Sequence, residues 1–232
     1  MPRSAFCSAS CSKTATQNAP GLLAVPSDDP SFTLVANQFK NEWKHTATPP
    51  AVRFVYRIVL TNQLKDPFEN RRDSIERKYN FKSQGMLEAN ERRRWHGTRR
   101  ECNVGDPGSG ALTMCNSATC YLCIIMRKSF DVAKCSFGCL FGKGIYTSGT
   151  SSKSDTYVTQ VAPSKYRSML MTRVLAGNAT KFTVPDPTLV SAPPGYDAIR
   201  GVPGSGLLYD ELIVYNNDQV RPFYLVIYDA EA

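Results

Sequence analysis

The sequence lacks any apolar run long enough to cross a membrane. Its longest runs, such as Leu225–Tyr228, fall far short of the about 18 residues that a membrane-spanning helix requires. No apolar signal-peptide core follows the first basic residue either. We therefore expect no membrane partner and a cytoplasmic or nuclear location, in which the eight cysteines are thiols or metal ligands.

Acidic residues are absent from residues 1–27, which are rich in Ser, Thr and Ala and contain two basic residues, Arg3 and Lys13. This composition loosely resembles a mitochondrial transit peptide, which is an alternative for the location. A disordered tail is the simpler interpretation. We treat residues 1–49 as an N-terminal tail and lead-in, partly disordered, and residues 50–232 as the folded domain.

The composition is that of a globular protein: 42% of the 232 residues are apolar and 21% are charged. This length predicts one domain with a sizeable core. The net charge is +8, and the densest basic stretch, Arg92–Arg100, surrounds Trp95-His96-Gly97-Thr98. A basic rim attracts a polyanion, whether a dinucleotide or nucleic acid. The alternative is a merely solvated basic face.

Hydrophobic patterning predicts strands interrupted by helices of irregular length. We predict helices over Lys65–Tyr79, Gln84–Arg93 and Cys120–Phe130. The predicted strands are Val52–Leu60, Gly144–Thr147, Ser168–Leu175 and two late strands, Leu207–Tyr215 and Phe223–Tyr228, which we expect to pair with each other. Because regular βαβ crossovers are missing, the fold class is α+β on antiparallel sheet.

Four motifs contain residues suited to chemistry. His96, one of only two histidines, lies in Trp95-His96-Gly97-Thr98 at the end of a further predicted strand, and Phe141–Tyr146 combines glycines with a tyrosine ring. Ser152–Tyr157 offers hydroxyls and a second ring, and Glu211 lies in an otherwise apolar strand, where a carboxylate is costly unless it is used. Taken singly, each feature also fits a structural histidine, a core aromatic or a helix cap.

In this order the motifs closely resemble the catalytic domain of the poly(ADP-ribose) polymerases, which are diphtheria-toxin-like ADP-ribosyltransferases with a His-Tyr-Glu triad. The most specific signal is Gly-Lys-Gly-Ile-Tyr followed by Ser-Lys-Ser and a further Tyr. The resemblance spans roughly residues 50–230. It implies two packed, mainly antiparallel sheets with flanking helices, and a catalytic domain over residues 50–232 with a cysteine-rich insertion at about 102–139.

The resemblance implies NAD as substrate and assigns the family's catalytic triad to His96, Tyr146 and Glu211. His96 would bind a ribose hydroxyl of the adenosine half of NAD, and Thr98 would help to hold that half. Gly97 would hold the nicotinamide amide through its backbone N–H and C=O.

The remaining implied roles concern the nicotinamide riboside. Tyr146 and Tyr157 would stack on the two faces of the nicotinamide ring. Ser154 would donate its hydroxyl to the carboxamide. Glu211 would hold the ribose 2′-hydroxyl, and Lys153 would hold the Glu211 carboxylate in place.

The cysteines suggest a metal site. Cys102, Cys115, Cys120 and Cys123 are spaced C-x12-C-x4-C-x2-C, and the closing Cys-x2-Cys suits tetrahedral zinc, which would be structural. The alternative is four free thiols packed as small hydrophobic groups. The zinc site of tankyrases, in the same broad family, lies after the Ser-Lys-Ser motif rather than before it. We expect Cys135 and Cys139 to be spare or to replace a ligand, and Cys7 and Cys11 to need no role.

The expected activity is transfer of ADP-ribose from NAD to protein side chains, including the protein's own, with release of nicotinamide. Mono- versus poly-ADP-ribosylation stays open. One alternative is action on nucleic acid, either ADP-ribosylation of ends or removal of an RNA 2′-phosphate; another is a catalytically silent, zinc-stabilised module that binds NAD or ADP-ribose. Because only residues 1–49 precede the catalytic domain, we do not expect the autoinhibitory helical domain of DNA-dependent relatives.

Overall fold

The computed structural model describes residues 19–45, 48–108, 112–135, 138–204 and 206–230. The strands are β1 (Gly21–Val25), β2 (Val52–Val59), β3 (Glu91–His96), β4 (Arg99–Arg100), β5 (Ile145–Thr147), β6 (Thr159–Gln160), β7 (Tyr166–Leu175), β8 (Ala179–Phe182), β9 (Ala198–Gly201), β10 (Glu211–Val214) and β11 (Val220–Asp229). The helices are α1 (Pro30–Asn41), α2 (Asn62–Tyr79), α3 (Tyr121–Lys128) and α4 (Ser151–Asp155). No helix within these ranges is long and apolar enough to span a membrane.

Two main sheets form the framework. The first has five strands in the order β1-β2-β11-β7-β3, all antiparallel. The second has four strands in the order β5-β10-β9-β8, in which β8 and β9 run parallel. A short parallel pair joins β4 and β6. The predicted α+β class with two packed, mainly antiparallel sheets and flanking helices is confirmed.

The main core lies where the inner faces of the two sheets meet. Leu170 and Leu225 of the first sheet pack in the same buried cluster as Leu212 and Val214 of the second. Burying each such side chain contributes roughly 1.5–3 kcal/mol relative to leaving it exposed. Alternation along a strand places the neighbouring side chains on the opposite face, so the same strands can supply both core and site.

Helix α2 follows the predicted pattern and buries Phe68 and Ile75, while its charged residues face solvent or form ion pairs. The predicted helix over Gln84–Arg93 is wrong. Glu88–Asn90 forms only a short 3₁₀ turn, and the chain then enters β3. Gly85 and Ala89 have positive φ angles of 73° and 54°, which end any helix there. Pairing with β7 then outweighs the helical charge spacing.

The two late strands do not pair with each other, contrary to expectation. β10 lies between β5 and β9 in the second sheet, whereas β11 lies between β2 and β7 in the first. The chain crosses between sheets through a 3₁₀ turn, Asn217–Gln219. An apolar alternating pattern identifies a strand but does not specify its partner, since every core strand presents a similar face.

Part of the expected lead-in is regular structure. β1 pairs along the whole of its length with β2, and α1 buries Val35 and Phe39. The signal for α1 was local: the Asp29 side chain accepts a hydrogen bond from the Ser31 N–H at 2.7 Å, and Pro30 occupies the first turn. The folded unit therefore includes residues well before residue 50.

Candidate active site

His96 ends β3 and faces β5. Its Nδ1 lies 3.0 Å from the carbonyl oxygen of Tyr146, and the ring of Phe130 meets the His96 ring edge-on at 5.0 Å between centroids. Burial lowers the pKa of His96, and the contact with the Tyr146 carbonyl raises it in part. Since a carbonyl only accepts hydrogen bonds, Nδ1 must carry the proton, which leaves Nε2 of the neutral ring as an acceptor.

The chain on both sides of His96 is held against the rest of the site. Trp95 and Ser148 exchange backbone hydrogen bonds of 2.8 and 3.0 Å, which fix β3 beside β5. A Cβ on Gly97 would overlap the carbonyl oxygen of Ser154. Only glycine therefore lets the two backbones approach so closely. Thr98 follows, partly buried, between β3 and β4.

Tyr146 is fixed by its own loop. Its hydroxyl accepts a hydrogen bond from the Phe141 N–H and donates one to the Gly142 carbonyl, both at 2.8 Å. Burial raises the pKa of Tyr146, with further increases from Tyr215 and Glu211. The phenol therefore stays protonated at neutral pH, and the side chain offers a rigid ring rather than a base.

Three of the predicted site residues lie in helix α4 or just after its end. Lys153 and Ser154 lie within it, and the Ser154 carbonyl accepts the N–H of Tyr157 at 3.2 Å just beyond its end. The Tyr157 side chain is 61% exposed, which leaves its ring available for stacking. Partial burial and the nearby Glu211 charge both raise the pKa of Tyr157.

Glu211 is the buried acid of the site. One of its carboxylate oxygens, Oε1, accepts a hydrogen bond from Lys153 Nζ at 2.5 Å, and both side chains are largely buried. The other oxygen, Oε2, is buried and has no hydrogen-bond partner among the described residues. A buried carboxylate oxygen left open in this way is costly unless a ligand hydroxyl occupies it.

Asp210, which directly precedes Glu211, forms an ion pair with Arg94, and sequence reasoning missed both residues. Arg94 Nη1 lies 2.6 Å from Asp210 Oδ2, and the Gly149 N–H donates to Asp210 Oδ1 at 3.2 Å. The Ser148 hydroxyl donates to the Asp210 carbonyl at 2.9 Å. Two signals were available in the sequence. Asp210 is a charged residue directly before Glu211, and Arg94 lies two positions before His96.

The four cysteines predicted to bind zinc come together. Their sulfur atoms lie within 4.8 Å of one another, and Cys102 Sγ lies 3.6 Å from Cys123 and 4.0 Å from Cys120. Four thiolates at about 2.3 Å around one zinc would lie roughly 3.8 Å apart. The Glu101 N–H also donates to Cys120 Sγ at 3.3 Å, a contact that suits a thiolate. The donor set, which includes Cys115, therefore fits zinc.

Two of the remaining cysteines, Cys135 and Cys139, differ from expectation. Cys135 and Cys139 form a disulfide, so they are neither spare thiols nor zinc ligands. Their Cα atoms are 6.5 Å apart, within the range that a disulfide bridges. Spacing alone did not reveal this pairing. Cys7 and Cys11 lie outside the described residues.

The comparison with known families indicates the class of protein, because part of the chain matches a catalytic domain whose activity is NAD-dependent ADP-ribosyl transfer. Residues 112–205 match the model of the poly(ADP-ribose) polymerase catalytic domain. The match includes both tyrosines of the site and confirms the resemblance that the motifs predicted. His96 and Glu211 lie on either side of the matched segment. Their assignment therefore depends on motif order and on the geometry described above.

Proposed function

We propose that the protein transfers ADP-ribose from NAD to protein side chains, its own included, and releases nicotinamide. The observation that carries this proposal is the Glu211 carboxylate, with one oxygen bound to Lys153 and the other open. In this proposal the open oxygen accepts the 2′-hydroxyl of the nicotinamide ribose. Lys153 prevents the carboxylate from turning away.

NAD would lie between β3 and β5. His96 Nε2 would accept a ribose hydroxyl of the adenosine half, near Thr98. The Gly97 backbone and the Ser154 hydroxyl would bind the carboxamide, because these two residues are already in contact. The nicotinamide ring would stack between Tyr146 and Tyr157, and each such face contributes on the order of 1 kcal/mol beyond burial.

The reaction breaks the bond between nicotinamide and ribose C1′, and its electron pair leaves with neutral nicotinamide. Positive charge then develops on the ribose, as in glycoside cleavage. The anionic Glu211 stabilises that charge while stacking fixes the leaving group. The acceptor side chain forms the new bond to C1′ and loses its proton.

The test incubates labelled NAD with wild-type protein and with Glu211→Gln, and it reads protein-bound label and free nicotinamide. Glutamine keeps the shape but removes the charge, so we expect transfer to fall by about 100-fold or more while NAD binding is retained. Asp66→Asn is a matched control, because Asp66 is an exposed acid on α2. Equal transfer by wild type and Glu211→Gln would remove Glu211 from this role. The length of the product separates mono- from poly-ADP-ribosylation.

Nucleic acid is the alternative acceptor, and the basic strand β3 favours it. Arg92 and Arg93 are exposed on this strand, and the charges of Arg94 and Arg200 lie near Arg92. Label found on RNA or DNA ends, rather than on protein, would support this function. Release of phosphate from an RNA 2′-phosphate would indicate the phosphotransferase, and NAD binding without turnover would indicate a silent module.

We also propose a structural zinc ion held by Cys102, Cys115, Cys120 and Cys123. The ion would cross-link the insertion and take no part in the chemical step. The proposal rests on the short distances between the four sulfur atoms. Without a metal, thiols this close would have only weak hydrogen bonds to one another. Binding one zinc per chain would couple metal affinity to folding of the insertion.

A further inference from the structure

One short segment contacts three of the four parts of the chain that build the site. This segment, residues 39–45, ends α1 and continues just beyond it; we call it the clasp. Its first residue, Phe39, is completely buried and meets the Trp95 ring edge-on at 5.5 Å. None of the four predicted site motifs includes any part of it.

The first contact reaches the histidine strand. Glu42 Oε2 accepts a hydrogen bond from Trp95 Nε1, and Trp95 directly precedes His96. Gln38 holds the same carboxylate through contacts of 3.2 and 3.3 Å. Burial raises the pKa of Glu42, although the bonds from Trp95 and Gln38 lower it in part. The carboxylate thus joins α1 to the end of β3.

The second contact reaches α4. The Ser151 N–H donates to the Glu42 carbonyl at 3.1 Å, and the Ser151 hydroxyl donates to the Phe39 carbonyl at 2.7 Å. The Ser152 hydroxyl accepts the backbone N–H groups of Lys44 and His45 at 3.0 and 3.2 Å. Lys153, which holds the carboxylate of Glu211, is the next residue.

The third contact reaches the approach to β10. The ring of His45 lies 5.5 Å from that of Tyr209, two residues before Glu211. The Glu42 charge also interacts with both members of the Arg94–Asp210 ion pair. Asp210 directly precedes Glu211. The clasp therefore contacts β3, α4 and the residues that lead into β10.

We propose that the clasp sets the relative positions of His96, Lys153 and Glu211, and that Glu42 is its positioning residue. The proposal rests on the proposed transferase function of this site. A displacement of about 1 Å in such a site can reduce the rate by about 100-fold. Glu42 is not a catalytic residue, because its carboxylate is occupied by Trp95 and Gln38 and acts through them.

The experiment compares Glu42→Ala, Glu42→Gln and the wild type. Alanine removes the acceptor for Trp95, so kcat for nicotinamide release should fall by roughly tenfold or more with a smaller change in KM. Glutamine can still accept the Trp95 N–H through its side-chain carbonyl and should restore part of kcat. Lys40→Ala is the control, since Lys40 is exposed on the same helix. Circular dichroism at the assay temperature establishes that each variant is folded.

A double-mutant cycle with Trp95→Phe separates positioning from general destabilisation. Trp95→Phe removes the N–H that Glu42 accepts, so the two losses in kcat should not multiply in the double variant. Fully multiplying losses, or unchanged kcat in folded Glu42→Ala, would overturn the proposal.

Hydrogen exchange tests the clasp without requiring activity. Glu42→Ala should increase amide exchange in residues 91–96 and 151–155 relative to Lys40→Ala. If wild-type protein releases no nicotinamide, the transferase function fails, and this readout still decides the clasp. Unchanged exchange in both segments would contradict it.

Discussion

The two flanks of His96 are held by different physical means. On one side, the cysteine-rich insertion places Phe130 against the histidine ring, and its helix α3 buries Leu122 and Met126 in the main core. On the other side, the clasp reaches the site through Glu42 and through hydrogen bonds to α4. The cysteine cluster and apolar packing hold the first flank in place, whereas directional hydrogen bonds hold the second.

This difference suggests a division of effects. Loss of a core or a metal cross-link acts mainly on the free energy of unfolding, because many buried contacts depend on it. Loss of a hydrogen bond beside the site costs only about 1 kcal/mol of stability, yet it can move a reacting group. Changes in the insertion should therefore appear first in stability, and changes near α4 first in rate.

Breaking the cysteine cluster should have the largest effect on stability. Cys120→Ser with Cys123→Ser should abolish zinc binding and destabilise the fold by several kcal/mol, on the order expected for a structural metal site. Metal content and thermal unfolding measure this, with Cys7→Ser as the control. A chelator should lower the melting temperature of wild type but not of the double variant. If wild-type protein contains no metal when purified, and added zinc does not change its melting temperature, the assignment is contradicted.

Lys153→Met should have the next largest effect, on rate and also on folding, because it leaves a buried carboxylate unpaired. It leaves the Glu211 carboxylate without its partner at Oε1, so we expect kcat to fall by about 10- to 100-fold. Lys153→Arg keeps the charge and should retain more activity. Steady-state kinetics with NAD measure both variants. Wild-type kcat in Lys153→Met would show that Glu211 needs no such support.

Phe130→Ala tests the insertion at its contact with the site. Because Phe130 is buried, its removal should cost about 3 kcal/mol of unfolding free energy. The loss of its edge-on contact with His96 should also weaken NAD binding modestly. Denaturant unfolding and calorimetric NAD titration give the two values. A large fall in kcat without destabilisation would reverse the proposed division between the flanks.

The smallest expected effect is a pH dependence from His96. Its pKa in the folded protein is lowered, so the unfolded chain binds a proton more readily, and stability falls as pH drops below about 6.5 towards the folded value. One such group contributes a slope of at most about 1.4 kcal/mol per pH unit. Melting temperatures of wild type and His96→Gln from pH 5 to 7.5 measure the difference. Parallel curves would exclude this linkage.

Local patterns predicted much of the fold and of the candidate site. The helix to Tyr79 and the strand from Val52 are confirmed, because side-chain periodicity and turn residues act over a few neighbouring positions. The order of the four motifs identified a family that the match over residues 112–205 confirms. The cysteine spacing pointed to a cluster that the structure brings together.

Long-range pairing could not be predicted in the same way. The helix expected at Gln84–Arg93 gave way to a strand, because β7 offers a complete ladder of partners for β3. The contact between Glu42 and Trp95 joins residues 53 positions apart, and that between Arg94 and Asp210 joins residues 116 apart. Nothing in the local composition around Glu42 indicates such a partner.

By itself, the amino-acid sequence determined the residue types of the site and most of the helices and strands, since both depend on chemistry within short segments. Tertiary structure alone decided which strands share a sheet, that residues 39–45 contact three parts of the site, and that one oxygen of Glu211 has no hydrogen-bond partner among the described residues. These features depend on burial and on partners far apart in the chain. They therefore become the state of lowest free energy only when the whole core is assembled.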